Sequence, residues 1–212
     1  MQTHELIKAL AADTRRPGMP MSVAWSAATV IAVAIAAAAF FALLGPRPDF
    51  ASAAQTLRFL FKFVVTIALA ASAFGLLRVL SRPETATGRL PSYLAIAPAL
   101  VVAGVAIELA VLPAGTWPAR LIGTNSVVCL TFIPLLGIGP LLLLLLALRH
   151  GAPSRPALAG AVAGLTAGGI AATFYAAHCT DDSPLFLAAW YTIAIAILAL
   201  IGALGALRIA RW

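Results

Sequence analysis

Apolar residues in this chain fall in long unbroken runs. They follow neither the alternation of a half-buried strand nor the three-to-four spacing of a surface helix. Six runs stand out, at residues 22–44, 59–80, 92–112, 125–148, 156–177 and 184–207. A hydrocarbon core about 30 Å thick needs about 20 apolar residues at about 1.5 Å rise each, and all six runs reach that length. Lipid offers no partner to a free backbone N–H or C=O, so each run is predicted to be an α-helix. None shows the alternation of a membrane β-barrel strand. The expected fold class is therefore all-α, a polytopic membrane protein of six transmembrane helices. Residues 1–20 form a separate N-terminal segment and residues 21–212 the transmembrane domain. The first run exceeds the apolar core of a signal peptide and no small-residue cleavage site follows it, so it is read as structure.

Composition strengthens this picture. Of 212 residues, 62% are hydrophobic and 10% charged, with a mean hydropathy of +1.02. A soluble domain carries about 25% charged residues, so this chain cannot cover a water-exposed surface. A soluble enzyme and a disordered chain are both excluded. Of 14 basic residues, ten lie with the N-terminus, the second and fourth connections and the C-terminus: Lys8, Arg15, Arg16, Arg78, Arg82, Arg89, Arg149, Arg155, Arg208 and Arg211. Arg47, Arg58, Lys62 and Arg120 lie on the other side. The positive-inside rule then places both termini in the cytoplasm. The net charge of +7 follows from this bias and calls for no direct nucleic-acid partner. Gly160, Gly164 and Gly168 form a stripe at four-residue spacing, which suits close helix packing. Pro98, Pro134 and Pro140 fall inside spans and are expected to kink or loosen them.

Chemistry-bearing residues are few. HExxH, GxSxG, a glycine-rich phosphate loop and CxxC are all missing from the sequence, and the chain is read as a non-enzyme. The single intramembrane acid, Glu108, lies about a turn from the outer end of the third span, where it can snorkel or pair with Arg120. Cys129 falls about one turn into the fourth span from its outer end, and Cys179 just beyond the outer end of the fifth. Antiparallel neighbours bring two such residues to similar depth at the outer face. Two readings stay open there. The cysteines can pair as a disulfide, or join His178, Asp181 and Asp182 around a soft ion. Alternatively each is a small hydrophobe, with Asp182-Ser183-Pro184 capping the sixth helix.

The N-terminal segment Thr3-His4-Glu5-Leu6-Ile7-Lys8-Ala9-Leu10-Ala11-Ala12-Asp13 reads as a short helix with Thr3 as N-cap and Leu6, Ile7 and Leu10 on one face. Arg15-Arg16-Pro17-Gly18 ends it. A helix this short is marginal alone, so it lies on the membrane or docks into a partner.

Several segments together resemble a known family. Thr3–Asp13 with Arg15 and Arg16 is similar to its opening motif, T-x-x-L-I-x-x-L-A-A-D. Arg58-Phe59-Leu60-Phe61-Lys62 resembles the start of its second helix. Cys129 through Ile133-Pro134-Leu135 to Arg149, then Gly151-Ala152-Pro153, resembles its fourth helix and turn. His178-Cys179-Thr180-Asp181-Asp182-Ser183-Pro184-Leu185-Phe186, continuing to Trp190-Tyr191, is the longest match, with Thr180 in place of an expected Pro. The family is that of the NrsF-type negative regulators of SigF, an extracytoplasmic-function sigma factor.

The resemblance implies an anti-sigma factor of the bacterial inner membrane that needs no cofactor. Its cytoplasmic segment, here Thr3, Leu6, Ile7, Leu10 and Asp13 within residues 3–16, holds the sigma factor. Two cysteines, here Cys129 and Cys179, respond to heavy-metal stress; from the chemistry of the thiols themselves, the expected signal is a transition-metal ion (copper, zinc or cadmium) or an oxidant. The alternative from a different class is a small metal or solute transporter, which a scarcity of midplane polar residues disfavours. A membrane thiol oxidoreductase would want a CxxC pair or a quinone site.

Overall fold

The computed structural model describes residues 3–5, 7–8, 21–82, 88 and 90–209. Six helices are long and apolar enough to cross a membrane: α1 (Met21–Leu43), α2 (Leu57–Leu80), α3 (Pro91–Val111), α4 (Ser126–Leu148), α5 (Pro156–Ala176) and α6 (Pro184–Ile209). No strand occurs among the described residues. The all-α expectation therefore holds, with span boundaries close to those read from the apolar runs.

α5 is the axle of the bundle. It packs against α6, α2, α4 and α1, while α3 leans mainly on α2. Its small residues explain the position, because Ala and Gly let neighbouring backbones close in. A Cβ on Gly160 would strike the Gly202 carbonyl of α6, one on Gly164 the Leu198 carbonyl, and one on Gly168 the Ile195 side chain. The stripe is thus a packing seam. Gly164→Leu should cost at least about 1–3 kcal/mol, because a backbone carbonyl cannot step aside as a side chain can. A thermal melt in detergent that matches wild type would refute that account.

The prolines act unequally. Pro98 lacks an N–H and its ring crowds the carbonyl four residues back. Accordingly, the short helical turn Leu90–Tyr93, at the start of α3, is separated from Ile96–Val111 by two non-helical residues. α4 continues through both Pro134 and Pro140. Inside α6 lies a π-helical turn, Leu187–Tyr191. Such turns re-aim side chains and are frequent at functional sites.

Outward faces are apolar. Val30 and Phe41 of α1, and Val102 and Val111 of α3, are largely exposed, as lipid-facing residues would be. In the N-terminal segment Thr3, His4, Glu5, Ile7 and Lys8 are helical and exposed, with Thr3 already inside the turn. Leu6, Leu10 and Asp13 lie outside the described residues.

Candidate functional site

The connection between α5 and α6 organises one end of the bundle. α5 ends as Ala177 and His178 donate backbone N–H bonds to the Phe174 and Tyr175 carbonyls, and Cys179 also donates to Tyr175. Ser183 then starts α6, its hydroxyl accepting from the Leu185 N–H with Pro184 in the first turn. The capping expected of Asp182-Ser183-Pro184 is present, and Ser183 is the residue that supplies it.

Glu108 completes this cap from α3. Its buried carboxylate accepts from the Ser183 hydroxyl at 2.7 Å and the Leu185 N–H at 3.1 Å, and pairs with Arg120 at 3.2 Å. Negative charge at a helix N-terminus is stabilising, so the intramembrane acid has a structural role. Asp181 does the same for α4. It accepts from the backbone N–H groups of Thr124 and Asn125 at 3.0 and 2.8 Å and from the Asn125 amide at 2.9 Å. Asn125, the N-cap of α4, makes no capping bond with its own side chain.

Asp182 faces two cations. Lys62 of α2 approaches to 2.6 Å and Arg47 to 3.0 Å. The same two side chains donate to the Cys179 carbonyl, Lys62 Nζ at 2.9 Å and Arg47 at 3.3 Å. Lys62 is only 1% exposed and also stands over the Phe59 ring. Arg47 forks onto Asp49 at 2.7 Å through two nitrogens. This bond pushes the guanidinium pKa up and holds the Asp49 carboxyl below its ordinary value. Further ties join the connection to the end of α1. The Arg47 N–H donates to the Ala177 carbonyl at 3.0 Å, and His178 Nδ1 donates to the Gly45 carbonyl at 3.0 Å. Gly45 holds φ +70°, a left-handed C-cap conformation that a side chain would strain.

Beneath this polar layer are the cysteines. Both are free and fully buried, in one core cluster with Tyr175, Phe186, Leu187 and Tyr191. Burial pushes the Cys179 thiol pKa up, with Lys62 pulling the other way. Tyr191, carried by the π turn, is buried in the same cluster. Arg58, Arg120, Thr180, Asp181 and Asp182 line part of an open cavity of about 520 Å³ that neither cysteine lines.

Of the five residues assigned from sequence to metal or redox sensing, Cys129 and Cys179 belong to one buried core cluster. His178, Asp181 and Asp182 sit nearby but are turned to Gly45, to the N-terminus of α4, and to Lys62 and Arg47. No group of three His, Cys, Asp or Glu placed to hold a metal ion occurs among the described residues. Sequence reasoning passed over Lys62, Arg47, Asn125 and Tyr191. A signal for Lys62 was available, since a lysine a turn inside an apolar span requires an internal partner.

The sequence model of the NrsF family, described as negative regulator of sigma F, matches residues 10–212. The chain belongs to the NrsF family. Among its relatives, the anti-sigma-F factor NrsF of Caulobacter vibrioides is 34% identical, with all of both chains covered. The probable anti-sigma-F factor NrsF of Azospira oryzae is 31% identical, again over all of both chains. These full-length alignments take in the NrsF N-terminal segment, of which the family match omits the first nine residues. No solved structure matches the chain.

Proposed function

We propose that this NrsF-family chain is an anti-sigma factor of the bacterial inner membrane, with both termini cytoplasmic and the cysteine end facing the periplasm. Residues 3–16 sequester an extracytoplasmic-function sigma factor, burying Leu6, Ile7 and Leu10. The Cys129–Cys179 pair senses a heavy metal or an oxidant, and the sigma factor is released. The observation that supports sensing is a pair of free thiols, fully buried together at one end of the bundle.

Cys129 and Cys179 would hold the ion, which supplies the free energy that shifts the bundle between two arrangements. With the imidazole and both carboxylates committed elsewhere, two sulfurs suit a soft ion such as copper(I) or cadmium better than a four-ligand zinc site. Oxidation to a disulfide is the other trigger for the same pair. The transporter alternative lacks support at the midplane. Thr166 of α5 turns its hydroxyl back onto its own helix, and Thr29 of α1 does the same.

The test is substitution. Cys129→Ser and Cys179→Ser should each abolish release on cadmium addition while leaving sigma-factor retention unchanged. A normal response from both variants would remove the thiols from the mechanism. The raised thiol pKa of Cys179 adds a pH dependence. The ion must displace a proton, so affinity should climb as pH rises, about tenfold per pH unit for each proton released. A flat cadmium affinity between pH 6 and 8 would contradict thiol ligation.

A further inference from the structure

We propose that Arg47 and Lys62 form a clamp through which the thiol pair controls α1, and with it the sigma-holding segment that precedes α1 in the chain. The trigger rests on the thiol-sensing reading above; the clamp itself does not.

The geometry is specific. One carbonyl, that of Cys179, receives Lys62 Nζ from α2 and an Arg47 nitrogen from the segment after α1. Both cations also pair with Asp182, three residues further on. The backbone of the sensing cysteine is therefore the anchor of the clamp. Drawing the Cys179 sulfur toward Cys129 or an ion must move a residue whose N–H and C=O are both engaged. Charge-assisted bonds to a buried ammonium and guanidinium are strong and geometrically demanding, so they are made or broken rather than stretched. Such an element is bistable, as coupling between distant sites requires.

α1 is suited to receive the signal. Its buried side chains are two small ones, Ala32 and Ala36, between two large ones, Trp25 and Phe40, which pack on Phe74 and Phe174. Its far end is held, besides Phe40, by the polar ties of Gly45 and Arg47 to the Ala177–Asp182 connection. Freed of these, α1 can change its tilt against α4 and α5. The helix begins at Met21, and the sigma-holding segment precedes it in the chain.

Two measurements test this. The first uses the wild-type full chain in lipid nanodiscs, with hydrogen exchange followed over residues 45–50, where the Arg47 amide bonds across to Ala177. Cadmium should speed that exchange about tenfold or more. Unchanged exchange with cadmium bound and the sigma factor released would overturn the clamp and leave thiol sensing standing. The second measures retention of co-expressed sigma factor without cadmium, for Arg47→Gln and for the Lys62→Met/Asp182→Leu double variant. Both should lose retention about tenfold or more, and adding Cys129→Ser should not restore it. Melting and membrane abundance identify any variant that fails to fold; the double variant, which exchanges the ion pair for apolar side chains, covers that case. Wild-type retention by a folded clamp variant would overturn the proposal. Release by these variants in a chain indifferent to cadmium would instead refute thiol sensing and keep the clamp.

Discussion

Asp182→Leu should destabilise the bundle by about 3–5 kcal/mol, the cost of leaving one partner of a buried ion pair uncompensated. The cost arises at Lys62. Its ammonium is 1% exposed, its shortest contact is Asp182 at 2.6 Å, and after the substitution its remaining hydrogen bond is to the neutral Cys179 carbonyl. Arg47 suffers less because Asp49 still balances it. Lys62→Met should then repair most of the damage, since a buried pair replaced by apolar groups of similar volume is often neutral or stabilising. The expected pattern is a double variant much more stable than Asp182→Leu alone. Unfolding in mixed micelles measures it, and a double variant as weak as the single would place the cost elsewhere. The pattern also separates stability from signalling: the repaired double variant is folded yet has lost its Lys62 and Asp182 contacts.

Much of this architecture is legible from one-dimensional patterns. Spans follow from runs of about 20 apolar residues, because lipid permits only helices there. The small-residue stripe reads directly as a seam. That Cys129 and Cys179 share one end follows from antiparallel neighbours joined by a short turn. What the patterns conceal is who binds whom among the polar residues. Asp181 and Asp182 are adjacent and chemically identical, yet one caps α4 through Asn125 and the other neutralises Lys62 and Arg47. Only the three-dimensional path of the connection separates them. Both look like metal ligands because carboxylates beside a cysteine and a histidine suit an ion in isolation. In the bundle, helix N-termini and buried cations compete for the same oxygens. The inward placement of Tyr191 is hidden for a different reason: the π turn that carries it breaks the 3.6-residue period on which helical faces are assigned.

The other large effect concerns the segment before α1. Leu6→Glu should weaken sigma-factor retention by about a hundredfold or more. Ile7, assigned from sequence to the same face, is helical and 57% exposed, so its side chain stands open to a partner. Burying one leucine at an interface is worth about 1.5–3 kcal/mol. Glutamate forfeits that and adds the cost of desolvating a charge without a counter-ion. Together these exceed about 3 kcal/mol, and each 1.4 kcal/mol is about tenfold in affinity. Glu5→Gln, also in this helical turn but outside the apolar stripe, should change retention less than about threefold. The two variants are compared by pull-down of co-expressed sigma factor from solubilised membranes. If the segment merely lies on lipid, Leu6→Glu leaves the pull-down intact and loosens only membrane association. Equal retention by both variants would therefore transfer sigma-factor binding from this segment to the connections between helices.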